Sequence, residues 1–259
     1  MEKIILSVFV PCFNEENNIS NALNNIKEGI QNVNYEILIA DDASVDKTIE
    51  IAEKFKKNNP NVDVKISRNK NNKGLGFNFR ATAYRAQGKY YMIVYGDGSL
   101  SPSEIKKIVS NIGKADMILT YLIDTRRVFR RTLSRVYSFI INLITLNNIK
   151  YYNGPNIHLL ENVKLYSQKG SGFGYSAELI TAQIRKNVVS RAKEIGYIPT
   201  SKTAAKAIFD LTVNSPTIAG STPSCLGRLA TLQSNHRVRP LEECGLVFGF
   251  ALWQPLGLC

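Results

Sequence analysis

Three acidic loops carry the residue types that could bind a ligand: "PCFNEE" at 11–16, "DDASVD" at 41–46 and "YGDGSLSP" at 95–102. Carboxylate oxygens accept hydrogen bonds from nucleobase N–H groups and ribose hydroxyls, and Mg²⁺ prefers them as ligands. In the third loop Asp97 is a lone acid among small residues. Either Asp97 is a surface acid in a turn or, as we favour, its small neighbours leave room for a metal ion and a diphosphate and Asp97 binds a divalent metal.

Each of these loops follows a segment with the pattern of a buried strand. Apolar, β-branched runs predict four strands, at 4–10, 35–40, 62–67 and 90–96. The segments between them predict three helices, at 18–32, 46–58 and 76–87. This alternation predicts an α/β fold with a Rossmann-like, mainly parallel sheet and helices on both faces. Ligands of such sheets bind at the carboxyl ends of the strands, where all three loops fall.

Asp41 and Asp42 are adjacent at the end of a predicted strand, so their side chains point to opposite sides and at most one faces a given ligand. Two interpretations stay open. A carboxylate binds a base or a ribose, or Asp42 and Ser44 shape a turn while Asp46 caps the next helix.

Two glycines, Gly74 and Gly76, precede the third predicted helix. They lack the third glycine of a dinucleotide-binding fingerprint, and no phosphate-binding P-loop motif occurs in the chain. The pair indicates either a helix entry with a basic rim or a close approach of the backbone at Gly74 to a phosphate-bearing ligand.

The composition limits the class of protein and its partners. The chain has 259 residues, 44% of them hydrophobic, which is enough to bury a core, and its net charge of +12 predicts an anionic partner. The lysines scatter without a nucleic-acid motif, so we expect no nucleic-acid partner. The four cysteines form no CxxC pair, and we expect reduced thiols. The first apolar run is too short for a signal peptide, and we expect a cytoplasmic chain.

Residues 124–146 carry five arginines before an apolar run. Arg127, Arg130 and Arg131 follow helical spacings of three and four residues, which gives one basic face. Either this face is solvated and leads into a core helix, or the segment lies at a membrane surface with its arginines on anionic headgroups or a lipid phosphate. We predict basic, membrane-proximal helices over 124–150.

The character of the chain changes near residue 213. No lysine follows Lys206, whereas three of the four cysteines and the only tryptophan do. The apolar end is too short, and too interrupted by glycine and proline, to span a membrane. We predict a domain at 1–212 and an atypical tail at 213–259, which is either a weak membrane contact or, as we favour, foreign sequence.

Four blocks of the sequence resemble family 2 glycosyltransferases with the GT-A fold, in the same order and spacing. They are "SVFVPCFNEENNI", "EILIADDASVDKT", "NNKGLGFNFRATAYRAQGKYY" and "YGDGSLSPSEI". The resemblance covers about 4–112 and is strongest to polyprenyl-phosphate sugar transferases. It implies an inverting enzyme that moves a sugar from a nucleotide diphosphate sugar to a polyprenyl phosphate at the inner face of the membrane.

The resemblance also implies roles for single residues on the donor side. Pro11, Asn14 and Glu15 match the first nucleotide-binding loop. Asp41 and Asp42 match the pair that contacts the base and the ribose.

Further roles concern the metal and the two phosphates. Asp97 matches the last acid of a DxD motif, which holds Mg²⁺ or Mn²⁺ against the diphosphate, but Tyr95 stands where the first acid would be. Arg131 lies in the region that grips the polyprenyl phosphate in the family. Lys202, in "IGYIPTSK", matches a late block where a basic residue meets the diphosphate.

Two other functions stay open at this point. A lipid phosphate is already an anion and needs no general base, whereas a glycan or lipid hydroxyl acceptor requires one. Glu178, in "GFGYSAELI", matches a family block with an acid near the acceptor, although it also fits an exposed helix glutamate. Tyr95 in the metal motif suggests instead a catalytically inactive nucleotide-sugar-binding protein. We expect His158 to be structural.

Overall fold

The structure is a computed structural model that describes residues 3–123, 128–166, 170, 172, 174–186, 192–197 and 210–213. At 128–131 and 210–213 it describes the backbone only. All these residues belong to the first of the two units into which the chain divides, Met1–Val213, and the second, Asn214–Cys259, lies outside them. The predicted tail and its boundary therefore stay predictions. Cys12 is a buried free thiol, and the other three cysteines lie outside the described residues.

The described residues form eight strands in one sheet, in the order β3-β2-β1-β4-β6-β5-β7-β8. The strands are β1 Leu6–Cys12, β2 Tyr35–Asp41, β3 Asp63–Arg68, β4 Tyr90–Ile93, β5 Met117–Leu122, β6 Ile157–Leu159, β7 Ala192–Tyr197 and β8 Asp210–Val213. The first four are parallel, as are β5 and β7, while β6 and β8 run antiparallel to their neighbours. The predicted mainly parallel α/β sheet is confirmed.

Seven helices connect these strands in the described part of the chain. They are α1 Ile19–Gly29, α2 Thr48–Asn58, α3 Leu75–Arg85, α4 Pro102–Val109, α5 Val128–Thr145, α6 Leu160–Leu165 and α7 Tyr175–Arg185. Side chains alternate along β1: Leu6 and Val8 pack with α1, α2 and α4, whereas Phe9 packs on the other face with α3, α6 and α7. Helices cover both faces of the sheet, as predicted. Each large apolar side chain that is fully buried between sheet and helices contributes about 1.5–3 kcal/mol to the free energy of unfolding.

The strand ends differ from the predicted ones. β1 begins at Leu6 and runs to Cys12, because Pro11 and Cys12 still pair with β2. β4 ends at Ile93, before the predicted 96, although Gly96 N–H still donates to the Pro11 carbonyl at 3.2 Å. The chain therefore stays alongside β1 after β4 ends, which holds the loop that contains Asp97 next to the first loop.

A buried polar network joins the amino ends of the first three strands, opposite the acidic loops. Glu36 is inaccessible to solvent and accepts hydrogen bonds from Ser7 Oγ at 2.6 Å, Gln87 N–H at 2.6 Å and Lys65 Nζ at 2.6 Å. Burial raises the pKa of Glu36, but the three hydrogen bonds outweigh it and hold the pKa below its ordinary value. The carboxylate therefore stays ionised and ties β1, β2 and β3 together.

Candidate functional site

The three acidic loops meet at one edge of the sheet. β1, β2 and β4 are adjacent and parallel, so the loops that follow them leave at the same side, with Cys12 directly opposite Asp41. Burial raises the pKa of Glu15, and the hydrogen bond that Asn18 donates to Glu15 lowers this pKa only in part. The nearby charge of Asp97 raises the pKa of Glu15 further. The acids of the first and third loops therefore share an electrostatic environment that favours a cation.

Direct hydrogen bonds connect the first loop to the second. Asn14 N–H donates to Ser44 Oγ at 2.8 Å, and Val45 N–H donates to Asn14 Oδ1 at 2.9 Å. Asn14 has a φ of 55°, a left-handed conformation that asparagine tolerates better than most residues. Glu15 N–H donates to Thr48 Oγ1 at 2.8 Å. These contacts fix the two loops in one arrangement.

Asp41 is buried and organises the turn that follows β2. It accepts hydrogen bonds from the backbone N–H and the hydroxyl of Ser44, and Arg68 Nε lies 3.2 Å from Asp41 Oδ2. Asp46 accepts from Thr48 N–H at 3.0 Å, just ahead of α2. These contacts support the turn-shaping interpretation of this loop, and a direct contact between Asp41 and a ligand stays a prediction.

Asp42 points the other way, toward the start of α3. Its carboxylate accepts from Asn69 Nδ2 at 2.7 Å, Lys73 N–H at 2.8 Å and Gly74 N–H at 2.8 Å. Burial raises the pKa of Asp42, but these hydrogen bonds outweigh it and lower the pKa below its ordinary value. The adjacent acids therefore serve opposite sides, as the alternation along a strand predicts.

The two glycines before α3 differ in role. Gly74 has a φ of 83°, which favours glycine, and its N–H is bound to Asp42. A Cβ on Gly76 would lie 2.6 Å from the Gly170 carbonyl oxygen and 3.0 Å from Tyr175 Cβ. Gly76 thus lets the segment before α7 approach α3. An approach of Gly74 to a phosphate stays a prediction.

A pocket of about 430 Å³ opens beside Asp41. Its lining residues lie in the loop after β2 and at and just beyond the end of β3, and are Ala43, Ser44, Val45, Arg68, Asn69 and Lys70. The Arg68 guanidinium also donates to the Ser44 carbonyl at 2.6 Å, so it bridges the two sides of the pocket. The sequence reasoning missed Arg68 and Asn69. The polar run "SRNK", directly after a predicted strand and at the same edge, was the available signal.

Asp97 is exposed at the carboxyl end of β4, and Ser99 N–H donates to its Oδ1 at 3.0 Å. Within the described residues, no three histidines, cysteines or acids lie close enough together to hold a metal ion. Mg²⁺ usually keeps several waters and binds through one or two carboxylates plus substrate phosphates. A single exposed carboxylate fits that mode of binding, and room for a diphosphate beside it stays a prediction.

Tyr95, which replaces the first acid of the metal motif, is turned into the protein. Its hydroxyl donates to the Asn153 carbonyl at 3.3 Å and is hydrogen-bonded to the Tyr175 hydroxyl. Burial raises the pKa of Tyr95 well above its ordinary value, so the side chain is neutral. Tyr95 therefore supplies no negative charge to a metal, and it links β4 to the start of α7.

Helix α7 carries Glu178, the candidate base. Glu178 is partly exposed and lies in the first turn of α7, one turn beyond Tyr175. Ser176 Oγ on the same turn donates to the Tyr152 carbonyl at 2.6 Å. The start of α7 is thus joined to the Asp97 side of the site through Tyr95 and Tyr175, and the role of Glu178 stays a prediction.

Helix α5 presents an apolar stripe to solvent. Val136, Phe139 and Leu143 are 47%, 66% and 65% exposed, and Leu146, just beyond the end of α5, is 89% exposed, while Ile141 is buried on the opposite side. A helix is thus present over Val128–Thr145, within the predicted 124–150, and its basic, membrane-proximal character stays a prediction. The side chain of Arg131, and Lys202 as a whole, lie outside the described residues, so both assignments stay predictions. No helix within the described ranges is both long enough and apolar enough to span a membrane.

His158 lies in the core, on the central strand β6. Its Nδ1 donates to Gln183 Oε1 at 3.1 Å. Burial lowers the pKa of His158 to about 4, against which the hydrogen bond to Gln183 acts only weakly. This environment supports the expectation that His158 is structural.

We expect the free energy of unfolding to fall as the pH drops from 7 to 5. In that range the unfolded chain protonates His158, with an ordinary pKa of about 6.5, while the folded chain does not. The expected loss is about 2 kcal/mol, measured by urea unfolding at several pH values. The His158→Gln variant should lose this slope, and a slope equal to that of the wild type would contradict the assignment.

Comparisons with known proteins agree with this architecture. The family model "Glycosyl transferase family 2" matches residues 7–176. Dolichyl-phosphate beta-glucosyltransferase of Dictyostelium discoideum is 26% identical over 164 residues, which are 56% of this chain and 50% of that protein. Dolichol-phosphate mannosyltransferase of Pyrococcus furiosus is 31% identical over 107 residues, which are 41% and 30% of the two chains. The chain therefore matches half or less of the length of these relatives.

A solved structure shows the same fold. It is glucosyl-3-phosphoglycerate synthase from Mycobacterium tuberculosis in complex with Mn²⁺, UDP and glucosyl-3-phosphoglycerate. Its TM-score is 0.58 at 14% identity, and the match covers 82% of this chain and 73% of that one. The predicted GT-A fold is thereby confirmed.

Proposed function

Because the chain belongs to glycosyl transferase family 2, we propose that it transfers a sugar from a nucleotide diphosphate sugar to a polyprenyl phosphate, with inversion at the anomeric carbon. The observation that carries the proposal is the convergence of the three acidic loops at one edge of the sheet. Two relatives named for dolichyl or dolichol phosphate support the acceptor class.

On the donor side, the pocket between Ser44 and Arg68 would take the base and ribose. The Arg68 side chain is more than half exposed and offers planar N–H donors, while the buried Asp41 carboxylate holds it in place. We assign Pro11, Asn14 and Glu15 to further contacts with the nucleotide. We assign the diphosphate to the space over Asp97, with Gly74 and Lys202 as further contacts.

A divalent metal, Mg²⁺ or Mn²⁺, would be held by Asp97 and would neutralise charge on the leaving diphosphate. In the transfer step a phosphate oxygen of the lipid attacks the anomeric carbon, and the bond from that carbon to the nucleotide diphosphate breaks. The electron pair leaves with the diphosphate oxygen. No proton has to be removed from a phosphate nucleophile, so this chain has to supply orientation and charge, with Arg131 assigned to the lipid phosphate.

Glu178 distinguishes a phosphate acceptor from a hydroxyl acceptor. If the acceptor is a polyprenyl phosphate, the Glu178→Gln variant should retain sugar transfer within about 5-fold of the wild type, because no base is needed. The assay follows transfer of labelled sugar to polyprenyl phosphate in detergent, with the unphosphorylated polyprenol as the control acceptor. Transfer by the wild type to the polyprenol in place of polyprenyl phosphate, with a loss of about 100-fold or more in Glu178→Gln, would support a hydroxyl acceptor with Glu178 as its base and would contradict our assignment.

We further propose that α5 places the enzyme at the inner face of a membrane, because its exposed stripe offers apolar side chains to the interface. The double variant Phe139→Ser, Leu143→Ser should bind anionic phospholipid vesicles at least about 10-fold more weakly than the wild type. Sedimentation of the protein with the vesicles measures the difference. Leu165→Ser is the matched control, since Leu165 is 72% exposed but lies on α6. Equal vesicle binding by wild type and double variant would contradict this placement.

A further inference from the structure

One polar atom at the junction of the donor and acceptor sides has no partner. Asn153 Oδ1 is buried without any hydrogen-bond partner. A buried acceptor left unpaired costs about 1–3 kcal/mol, so such atoms in folded proteins call for a bound group that satisfies them. The backbone carbonyl of the same residue is satisfied, because it accepts from the Tyr95 hydroxyl.

The loop that carries Asn153 is held rigidly. A Cβ on Gly154 would lie 2.5 Å from the Thr120 carbonyl oxygen, so this backbone packs directly on β5. Asn156 Oδ1 accepts from Thr120 N–H at 2.8 Å, and Asn156 Nδ2 donates to the Tyr152 carbonyl at 3.0 Å. These contacts fix the backbone on either side of Asn153, so a ligand that reaches its amide meets a loop already held in place.

The position of Asn153 relates it to both sides of the reaction. The Tyr95 hydroxyl donates to the Asn153 carbonyl, which joins the Asn153 loop to the segment after β4. Tyr95 lies two residues before Asp97, and the charge of Asp97 raises the pKa of the Tyr95 hydroxyl. Ser176 joins the same loop to α7, the helix of Glu178. In the proposed reaction the transferred sugar has to lie between the diphosphate and the acceptor, and Asn153 lies between the elements assigned to them.

The chemistry of the reactants narrows what Asn153 can bind. At neutral pH a diphosphate bound to a metal presents acceptor oxygens only, the lipid phosphate is an anion rich in acceptors, and the polyprenyl chain has no polar group. The base N–H groups and ribose hydroxyls of the nucleoside also donate, but we assign the nucleoside to the pocket between Ser44 and Arg68, so the hydroxyls of the transferred sugar are the donors that remain. We propose that Asn153 Oδ1 accepts a hydrogen bond from a hydroxyl of the transferred sugar and thereby contributes to sugar specificity. This inference rests on the proposed function.

The test compares nucleotide with nucleotide sugar in the Asn153→Leu variant, which keeps the shape of the side chain and removes its polar atoms. The probes are UDP and UDP-glucose, or GDP and GDP-mannose if GDP is the nucleotide that binds, each with Mn²⁺ in calorimetry. We expect the variant to bind the nucleotide sugar about 3- to 10-fold more weakly and the free nucleotide equally well. Its melting temperature without ligand should equal or exceed that of the wild type, because an unpaired polar atom is gone.

A deoxy analogue identifies the hydroxyl. The UDP-deoxyglucose that lacks the contacted hydroxyl should bind wild type and variant equally, whereas the other deoxy analogues should retain the difference. An equal loss for nucleotide and nucleotide sugar would overturn the inference, since Asn153 would then only support the fold. Unchanged binding of both would also overturn it, with water as the partner of Oδ1. If the folded wild type binds neither UDP nor GDP, the proposed function fails and the inference fails with it.

Discussion

The Asp97→Asn variant should lose about 10²- to 10³-fold in the rate of sugar transfer. Asp97 is the acid that the structure leaves exposed at the end of β4, and Tyr95, at the other position of the motif, is neutral and bound within the protein. In the proposed reaction a single carboxylate would therefore carry the metal, and its loss would leave the charge of the departing diphosphate unneutralised. An asparagine oxygen can still accept from Ser99 N–H, so the loop should keep its conformation.

Two controls separate this loss from misfolding or from a metal-independent mechanism. The variant should unfold at the temperature of the wild type, because Asp97 is a surface residue. Raising the Mn²⁺ concentration should restore part of the activity if the metal site is weakened. A variant with transfer within about 3-fold of the wild type would exclude Asp97 as the metal ligand.

The Glu36→Ala variant should lower the free energy of unfolding by about 3 kcal/mol. It would leave Ser7 Oγ and the Gln87 N–H without the acceptor that they share, inside a region closed to water. Lys65, by contrast, is partly exposed and can turn toward solvent, so its charge adds little to the loss. Urea unfolding at pH 7 measures the difference.

Asp63→Asn is the matched control for Glu36→Ala. Asp63 also pairs with Lys65, at 3.2 Å, but its side chain is 45% exposed. A pair of this kind contributes at most about 1 kcal/mol, so the control should change stability little. Equal losses in the two variants would show that the charge of Lys65, and not the buried acceptor, determines the stability of this network.

The sequence was sufficient for the parts of the fold that follow from periodicity. Apolar, β-branched runs marked the first four strands, and the order of strands and helices then placed the three acidic loops at one edge. β6 escaped prediction because a three-residue strand, "IHL", offers too little pattern. Its antiparallel position between β4 and β5 depends on contacts with residues far away in the chain.

The geometry of the candidate site was predictable where it depends only on neighbouring residues in the sequence. The opposite orientations of Asp41 and Asp42 follow from the alternation of side chains along one strand. The pairing of Asp41 with Arg68 can be predicted only once β3 is known to lie beside β2. The close contact of Gly76 with Gly170 joins segments that are distant in sequence. The direction of Tyr95 also depends on Asn153 and on the start of α7, which no local pattern reveals.

The measurement that tests the central claim most directly is a calorimetric titration of the full chain with UDP and with GDP, each with and without Mn²⁺. We predict that one nucleotide binds, that Mn²⁺ strengthens its binding, and that Asp97→Asn removes the metal-dependent part. Absence of binding by both nucleotides, from a protein with a cooperative unfolding transition, would contradict the assignment of this sheet edge as a nucleotide-sugar site.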